Sequence, residues 1–198
     1  AVSAFEAFLG LLSFAIATGL FYGRFSRPQA FLSYSKNALI APYKDGRAFM
    51  FRLAPFKNNN LSEAEVKLTM VITTADENGK QSDKFFNLDL EISKINALAL
   101  SWTIVHPITE ASPFYGLTKE DIGAADIEIM VFLKAFDEVF SNSVVSRTSY
   151  ISNEIIWGAK FNMMYHPSGD KSKTVINIDM LNDFSETPLP DGPVTITV

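Results

Sequence analysis

Two histidines, His106 and His166, are the only imidazoles in 198 residues, and no cysteine accompanies them. Each precedes a proline, Pro107 and Pro167, which places both at strand ends or turns. His106 with Glu110 could offer two metal ligands, but the spacing supplies no third, and a zinc site needs at least three from the protein. A structural histidine and no bound metal are therefore expected. The carboxylate pairs Glu63/Glu65 and Asp89/Glu91 are spaced by two, which in a strand points both members to one face. Solvated surfaces look like this, so acid–base catalysis is not expected from them. G-x-S-x-G elbows, P-loops and G-x-G-x-x-G turns are all missing from the sequence. A membrane-tethered hydrolase would need a nucleophile, a base and an oxyanion site, and these residues do not assemble one. We expect no enzyme and no cofactor.

A different chemistry is offered near the N-terminus, where no charged residue occurs between Ala7 and Gly23. Those residues rise roughly 25 Å as a helix, near the lower limit for crossing a hydrocarbon core of about 30 Å. A secretory signal peptide would open on basic residues, whereas Glu6 is the only early charge here. Arg24 and Arg27 follow the apolar run directly, which puts the C-terminal side in the cytoplasm. Gly10, Phe14, Thr18 and Tyr22 recur every four residues along one stripe, and Ala15, Gly19 and Gly23 form a second. Small residues at that spacing let helices approach closely, although a single unpaired anchor is the alternative. With the larger stripe turned to a shared axis, Tyr22 could close a pore by excluding water. The sequence opens without methionine and directly in this helix, so a piece of a longer chain is expected.

The rest of the chain must supply a folded body. Hydrophobic residues make up 47% and charged residues 20%, which rules out general disorder. Zero cysteines exclude a disulfide framework and suit a reducing compartment. A net charge of -5 and the lack of basic runs with interleaved aromatics give no reason for nucleic-acid binding.

Pro28 should end the helix. Period-two alternation then marks strands: Phe49, Phe51 and Leu53; Val66, Leu68, Met70 and Ile72; Phe86, Leu88 and Leu90; Leu98, Leu100, Trp102 and Ile104; Ile127, Ile129, Val131 and Leu133. Half-buried antiparallel strands explain them. Asp45-Gly46, Asn58-Asn59-Asn60, Asn78-Gly79 and Ser168-Gly169-Asp170 provide the turns. Thr118 and Asp121 can form a capping box on a short helix at Lys119–Ile122. Many short strands with few helices predict an all-β chain, a β-sandwich behind one N-terminal transmembrane helix. The expected division is helix 1–28, β-domain 29–187 and a proline-bearing tail 188–198.

Several segments resemble the inward-rectifier potassium channels, especially their prokaryotic branch. They run in order from Arg24-Phe25-Ser26-Arg27-Pro28 through Tyr34-Ser35-Lys36-Asn37-Ala38 and Phe49-Met50-Phe51-Arg52-Leu53. Leu61-Ser62-Glu63-Ala64, Trp102-Thr103-Ile104-Val105-His106-Pro107-Ile108 and Ser112-Pro113-Phe114-Tyr115-Gly116 follow. The most specific is Arg147-Thr148-Ser149-Tyr150-Ile151-Ser152-Asn153-Glu154-Ile155-Ile156-Trp157-Gly158.

That resemblance implies an immunoglobulin-like cytoplasmic sandwich, four copies of which surround an axial vestibule, so a homotetramer moving potassium ions is expected. It places Tyr22 at the helix-bundle gate, Gly10 at a hinge and Phe14 at the cavity position where strong rectifiers carry an acid. Glu138–Val145, with Ser141, Asn142 and Ser143, matches the cytoplasmic constriction, where small and polar residues would leave a narrow, wettable ring. Asn78, Lys94 and Lys134 stand at vestibule positions that are acidic in strong rectifiers, with Glu77 and Glu91 nearby. Arg24 and Arg27 match the basic lipid-binding residues at the membrane exit, anionic lipids or phosphoinositides being the implied ligands. No T-V-G-Y-G filter occurs in the sequence, so the filter is expected in a segment preceding Ala1. A membrane-anchored immunoglobulin-like binding module is the other reading; it would be monomeric with an ordinary solvated surface.

Overall fold

The sandwich begins with a strand that breaks in the middle and is repaired by a side chain. In a computed structural model that describes residues 2–25, 29–57, 60–75, 81–169 and 174–190, helix α1 (Val2–Phe25) precedes β1 (Leu32–Tyr34), β2 (Ala38–Tyr43) and β3 (Gly46–Pro55). Both β1 and β2 pair antiparallel with β3, so Ser35–Asn37 interrupts what is otherwise one strand. At the break the Ser35 hydroxyl takes the place of a backbone acceptor: the Arg52 amide donates to Ser35 Oγ at 3.0 Å, and the Ser35 amide donates to the Arg52 carbonyl at 2.8 Å. The displaced Ser35 carbonyl accepts the Tyr150 hydroxyl at 2.8 Å. Tyr150 belongs to the opposite sheet, so this bond spans the core.

The next strands are β4 (Leu61–Ala75), β5 (Gln81–Leu88), β6 (Lys94–Leu98) and β7 (Trp102–Pro107). Helix α2 (Lys119–Ala124) follows, then β8 (Asp126–Asp137), β9 (Asn142–Ile151) and β10 (Ile155–Trp157). The first sheet joins β1, β2, β3, β7 and β10; the second joins β4, β5, β6, β8 and β9. Two small ribbons complete the chain, β11 (Ala159–Phe161) with β14 (Phe184–Glu186), and β12 (Tyr165–Pro167) with β13 (Thr174–Ile176). The alternating residues of β4 and β8 meet those of β3 in one core, in which the Phe49 and Phe51 rings pack on Tyr150 at 6.4 and 5.2 Å. This is the expected β-sandwich. α2 carries the expected capping box, with the Asp121 amide donating to Thr118 Oγ1 and the Thr118 amide donating to Asp121 Oδ2.

Four local expectations change. The run from Leu98 to Ile104 is not one strand: Leu98 ends β6 in the second sheet, Leu100 lies exposed in a bend, and Trp102 starts β7 in the first. Alternation is preserved across the bend by chance of spacing. β3 is buried on both faces, because the C-terminal ribbons cover its outer side, and Phe161 seals a second cluster with Ala41, Ala48 and Met50. Under the same cover Arg52 stacks on Phe161 at 4.5 Å and donates to the Asn162 carbonyl, and burial lowers its pKa. β10 is parallel to β2, the chain having crossed from the edge of one sheet to the edge of the other. Glu63 sits at φ 48° in a bulge between Ser62 and Glu65, so Glu63 and Glu65 do not alternate as a regular strand would have them.

Gly158 has φ 67°, and a Cβ there would meet the Thr187 carbonyl at 3.3 Å. Glycine lets this turn donate to the Ile40 carbonyl and accept from the Thr187 amide, tying the last strand to the first sheet.

The far edges of the sheets meet at His106. Its Nδ1 donates to the Asp89 carbonyl at 2.6 Å and its Nε2 accepts the Ser112 hydroxyl at 2.8 Å, while the Glu91 amide donates to the Val105 carbonyl. Burial is the main cause that lowers the His106 pKa below its ordinary value. A depressed folded pKa means that the contribution to stability is complete above the unfolded value of about 6.5 and is lost as pH falls through the folded one. The wild-type chain should therefore lose stability between pH 7 and 5 more steeply than His106→Gln, by at most about 1.4 kcal/mol per pH unit. Denaturant midpoints of both proteins at each pH check this, and parallel pH profiles would contradict it.

Candidate functional site

α1 is 24 residues long and none of its residues is buried. At about 1.5 Å per residue it spans roughly 36 Å, enough to cross a bilayer, and it contains an 18-residue stretch of mean hydropathy 1.8. Four-residue steps advance the helix by slightly more than one turn, so Gly10, Phe14, Thr18 and Tyr22 form a gently drifting stripe, all exposed. Gly10, Gly19 and Gly23 have no atom within 4 Å of where a Cβ would stand. Gly19, Leu20, Gly23, Arg24 and Gln29 line an open groove at the C-terminal end. Arg24 lies in the last turn, where the helix dipole favours a cation. Arg27 and Pro28 lie outside the described residues.

The β8–β9 turn is built around a carboxylate that the spacing arguments overlooked. Asp137 is buried, and its Oδ1 accepts the amides of Val139 at 2.9 Å and Phe140 at 3.2 Å. The Glu138 amide donates to the Asn60 carbonyl, anchoring the turn to the β3–β4 connection. Ser141 takes φ 48° to close the hairpin, whereas Asn142 and Ser143 already belong to β9, paired with Asp137 and Phe136. The tip is consequently not small and polar: Val139 is 64% exposed and Phe140 47%. An aspartate two residues before a turn amide is a local signature that could have revealed Asp137.

On the outer face of the second sheet, Glu65 lies opposite Lys94 on one side and Lys134 on the other. Directly opposed residues share a face, so both lysines are brought together around one carboxylate. Asn78 and Glu77 lie outside the described residues. Glu91 is not part of this group: it pairs with Lys44 at 2.7 Å and accepts the Tyr43 hydroxyl, and the Lys44 hydrogen bond lowers its pKa.

The residues first considered for catalysis are placed apart. Both His106 ring nitrogens are engaged by Asp89 and Ser112, not Glu110, and His166 is exposed on β12 opposite Val175. Asp89 and Glu91 lie past the end of β5 in the seam between the sheets.

Residues 32–196 match the family described as the inward rectifier potassium channel C-terminal domain. The inward rectifier potassium channel Kirbac3.1 of Paramagnetospirillum magnetotacticum is 35% identical over 156 residues, 79% of this chain and 53% of that protein. The ATP-sensitive inward rectifier potassium channel 12 of Mus musculus is 29% identical over 165 residues, 79% of this chain and 38% of that protein. The chain thus spans about half the length of the first of these relatives and less of the second. The solved structure of the sporulation control protein Spo0M from Bacillus subtilis overlaps 69% of the chain with a TM-score of 0.30 at 10% identity, too distant to bear on fold or function. A domain match covering most of the chain, directly behind a helix able to cross a membrane, leads to one assignment: the chain belongs to the inward rectifier potassium channel family.

Proposed function

We propose that this chain is a potassium-channel subunit that supplies the pore-lining inner helix (1–28), the cytoplasmic sandwich (29–187) and a C-terminal tail (188–198) of a homotetramer. The observation that carries the reading is the order of parts: a membrane-length helix with no buried residue runs into the matched domain. A 24-residue helix, mostly apolar and with none of its residues buried, needs lipid or other helices, and closed symmetry around an axis would give it both. Potassium is the transported ion, and no residue of the chain is assigned to its selection.

In this reading Gly10 is the hinge, Phe14 and Thr18 face the cavity, and Tyr22 narrows the cytoplasmic exit. Arg24 and Arg27 lie at headgroup level, each adding about 1 kcal/mol of attraction to anionic lipid. Ser141, Asn142 and Ser143 stay in the cytoplasmic constriction, but its narrowest part is the apolar pair Val139 and Phe140, which would gate by dewetting. Asn78, Lys94 and Lys134 line the vestibule.

Light scattering of the full-length protein in mild detergent should give four chains per particle; a monodisperse monomer would favour a membrane-anchored binding module. Tyr22→Ala in that protein should raise potassium flux into liposomes several-fold, and unchanged flux would remove Tyr22 from the gate.

Block by an internal polycation depends on the negative potential focused on the axis. Phe14 carries no charge, and Lys94 and Lys134 outnumber the Glu65 between them, so rectification should be weak. Phe14→Asp should tighten spermine block by on the order of tenfold, and Lys134→Glu by less because a wide vestibule is better screened. Current–voltage curves with and without internal spermine decide this, and steep block in the unmodified protein would contradict it.

A further inference from the structure

We propose that the outer face of the second sheet binds a soluble multivalent phosphate anion at a band formed by Lys67, Lys94, Lys134 and Arg147. Two adjacent rows across the sheet make the band. One row runs Lys94, Glu65, Lys134; the next runs Lys67, Phe132, Arg147. The cations stand on four adjacent strands, β6, β4, β8 and β9; with strands about 4.8 Å apart and alternate residues about 7 Å apart along a strand, they fall within a patch roughly 14 Å by 7 Å. All four side chains are exposed.

The two rows hold four cations against one carboxylate. Glu65 pairs with Lys67 at 3.5 Å, and among the described residues Lys94, Lys134 and Arg147 form no ion pair. The same face turns acidic farther along, at Glu128, Asp83 and Asp126, so charge on it is segregated and not mixed. In a chain of net charge -5 such a band is not a by-product of overall composition. The Arg147 guanidinium lies over the Phe132 ring at 5.3 Å, which limits its motion while leaving it exposed.

A soluble anion is favoured over a membrane surface by position. The end of the sandwich next to the helix is marked by Phe56, whose amide donates to the Phe31 carbonyl. β4 starts nearby at Leu61, and Glu65 and Lys67 lie about 13–20 Å further along it. Multivalency is required because a single exposed pair is largely screened at physiological salt, whereas several cations acting on one ligand are not.

Binding is read without conduction, so a failure here and a failure of the channel reading are separate results. The full-length protein is titrated calorimetrically with inorganic tripolyphosphate at about 0.15 M ionic strength. We expect saturable binding, weakened about fivefold by each of Lys94→Gln and Lys134→Gln and unchanged by Lys119→Gln on the remote helix α2. No saturable binding, or an equal loss with Lys119→Gln, would overturn the proposal. So would binding only to vesicles containing anionic lipid. A double lysine variant that loses binding only because its particle size falls would also overturn it and give the face to a neighbouring copy.

Discussion

Closing two sheets over one core forces every buried strand break to find partners for its backbone groups, and the break at Ser35–Asn37 is the one on which the sandwich depends. Its repair uses the Ser35 hydroxyl within the first sheet and the Tyr150 hydroxyl from the second. A buried carbonyl left without that partner would cost about 1–3 kcal/mol. Because Tyr150 also packs on Phe49 and Phe51, one side chain satisfies the polar break and fills the apolar centre. Burial raises its pKa, so it remains a neutral donor. The opposite seam is closed in the same manner by His106 between Asp89 and Ser112, so each edge of the sandwich is tied by a buried polar side chain.

That closure also fixes the shape of two exposed surfaces. A rigid β8 and β9 hold the turn at Val139 and Phe140, and Asp137 fixes its shape from beneath. The same strands set Lys94, Glu65 and Lys134 in a row. Among the described residues, none of the helix is buried. The protein is a membrane protein with a helix long and apolar enough to cross the bilayer, and its matched domain is cytoplasmic.

The charges on the outer face act together in a way that single positions do not disclose. Lys94 lies 29 residues and Lys134 69 residues after Glu65 in the chain, yet the antiparallel register puts both beside it. Glu91, near Lys94 in sequence, is drawn instead to the β2–β3 turn by Lys44 and Tyr43. Field arguments based on neighbouring residues therefore need the register before they can be given a sign.

Local patterns were enough for those features whose physics is local. The apolar run of α1, the alternation of β4 and β8, the capping box of α2 and the ordered family motifs could all be read without knowing what lies across the core, because each depends on residues a few positions apart. The bend at Leu100, the burial of both faces of β3, the parallel β10 and the bulge at Glu63 could not. Alternation looks the same whether a strand continues or changes sheet, and a second buried face depends on a cover supplied more than 100 residues later by Phe161 and Asn162. For the candidate site, the helix stripe was legible by periodicity alone. The apolar tip at Val139 and Phe140, the Asp137 that shapes it and the grouping of Lys94 with Lys134 were decided by tertiary structure, because strand pairing and turn closure determine which side chains share a surface.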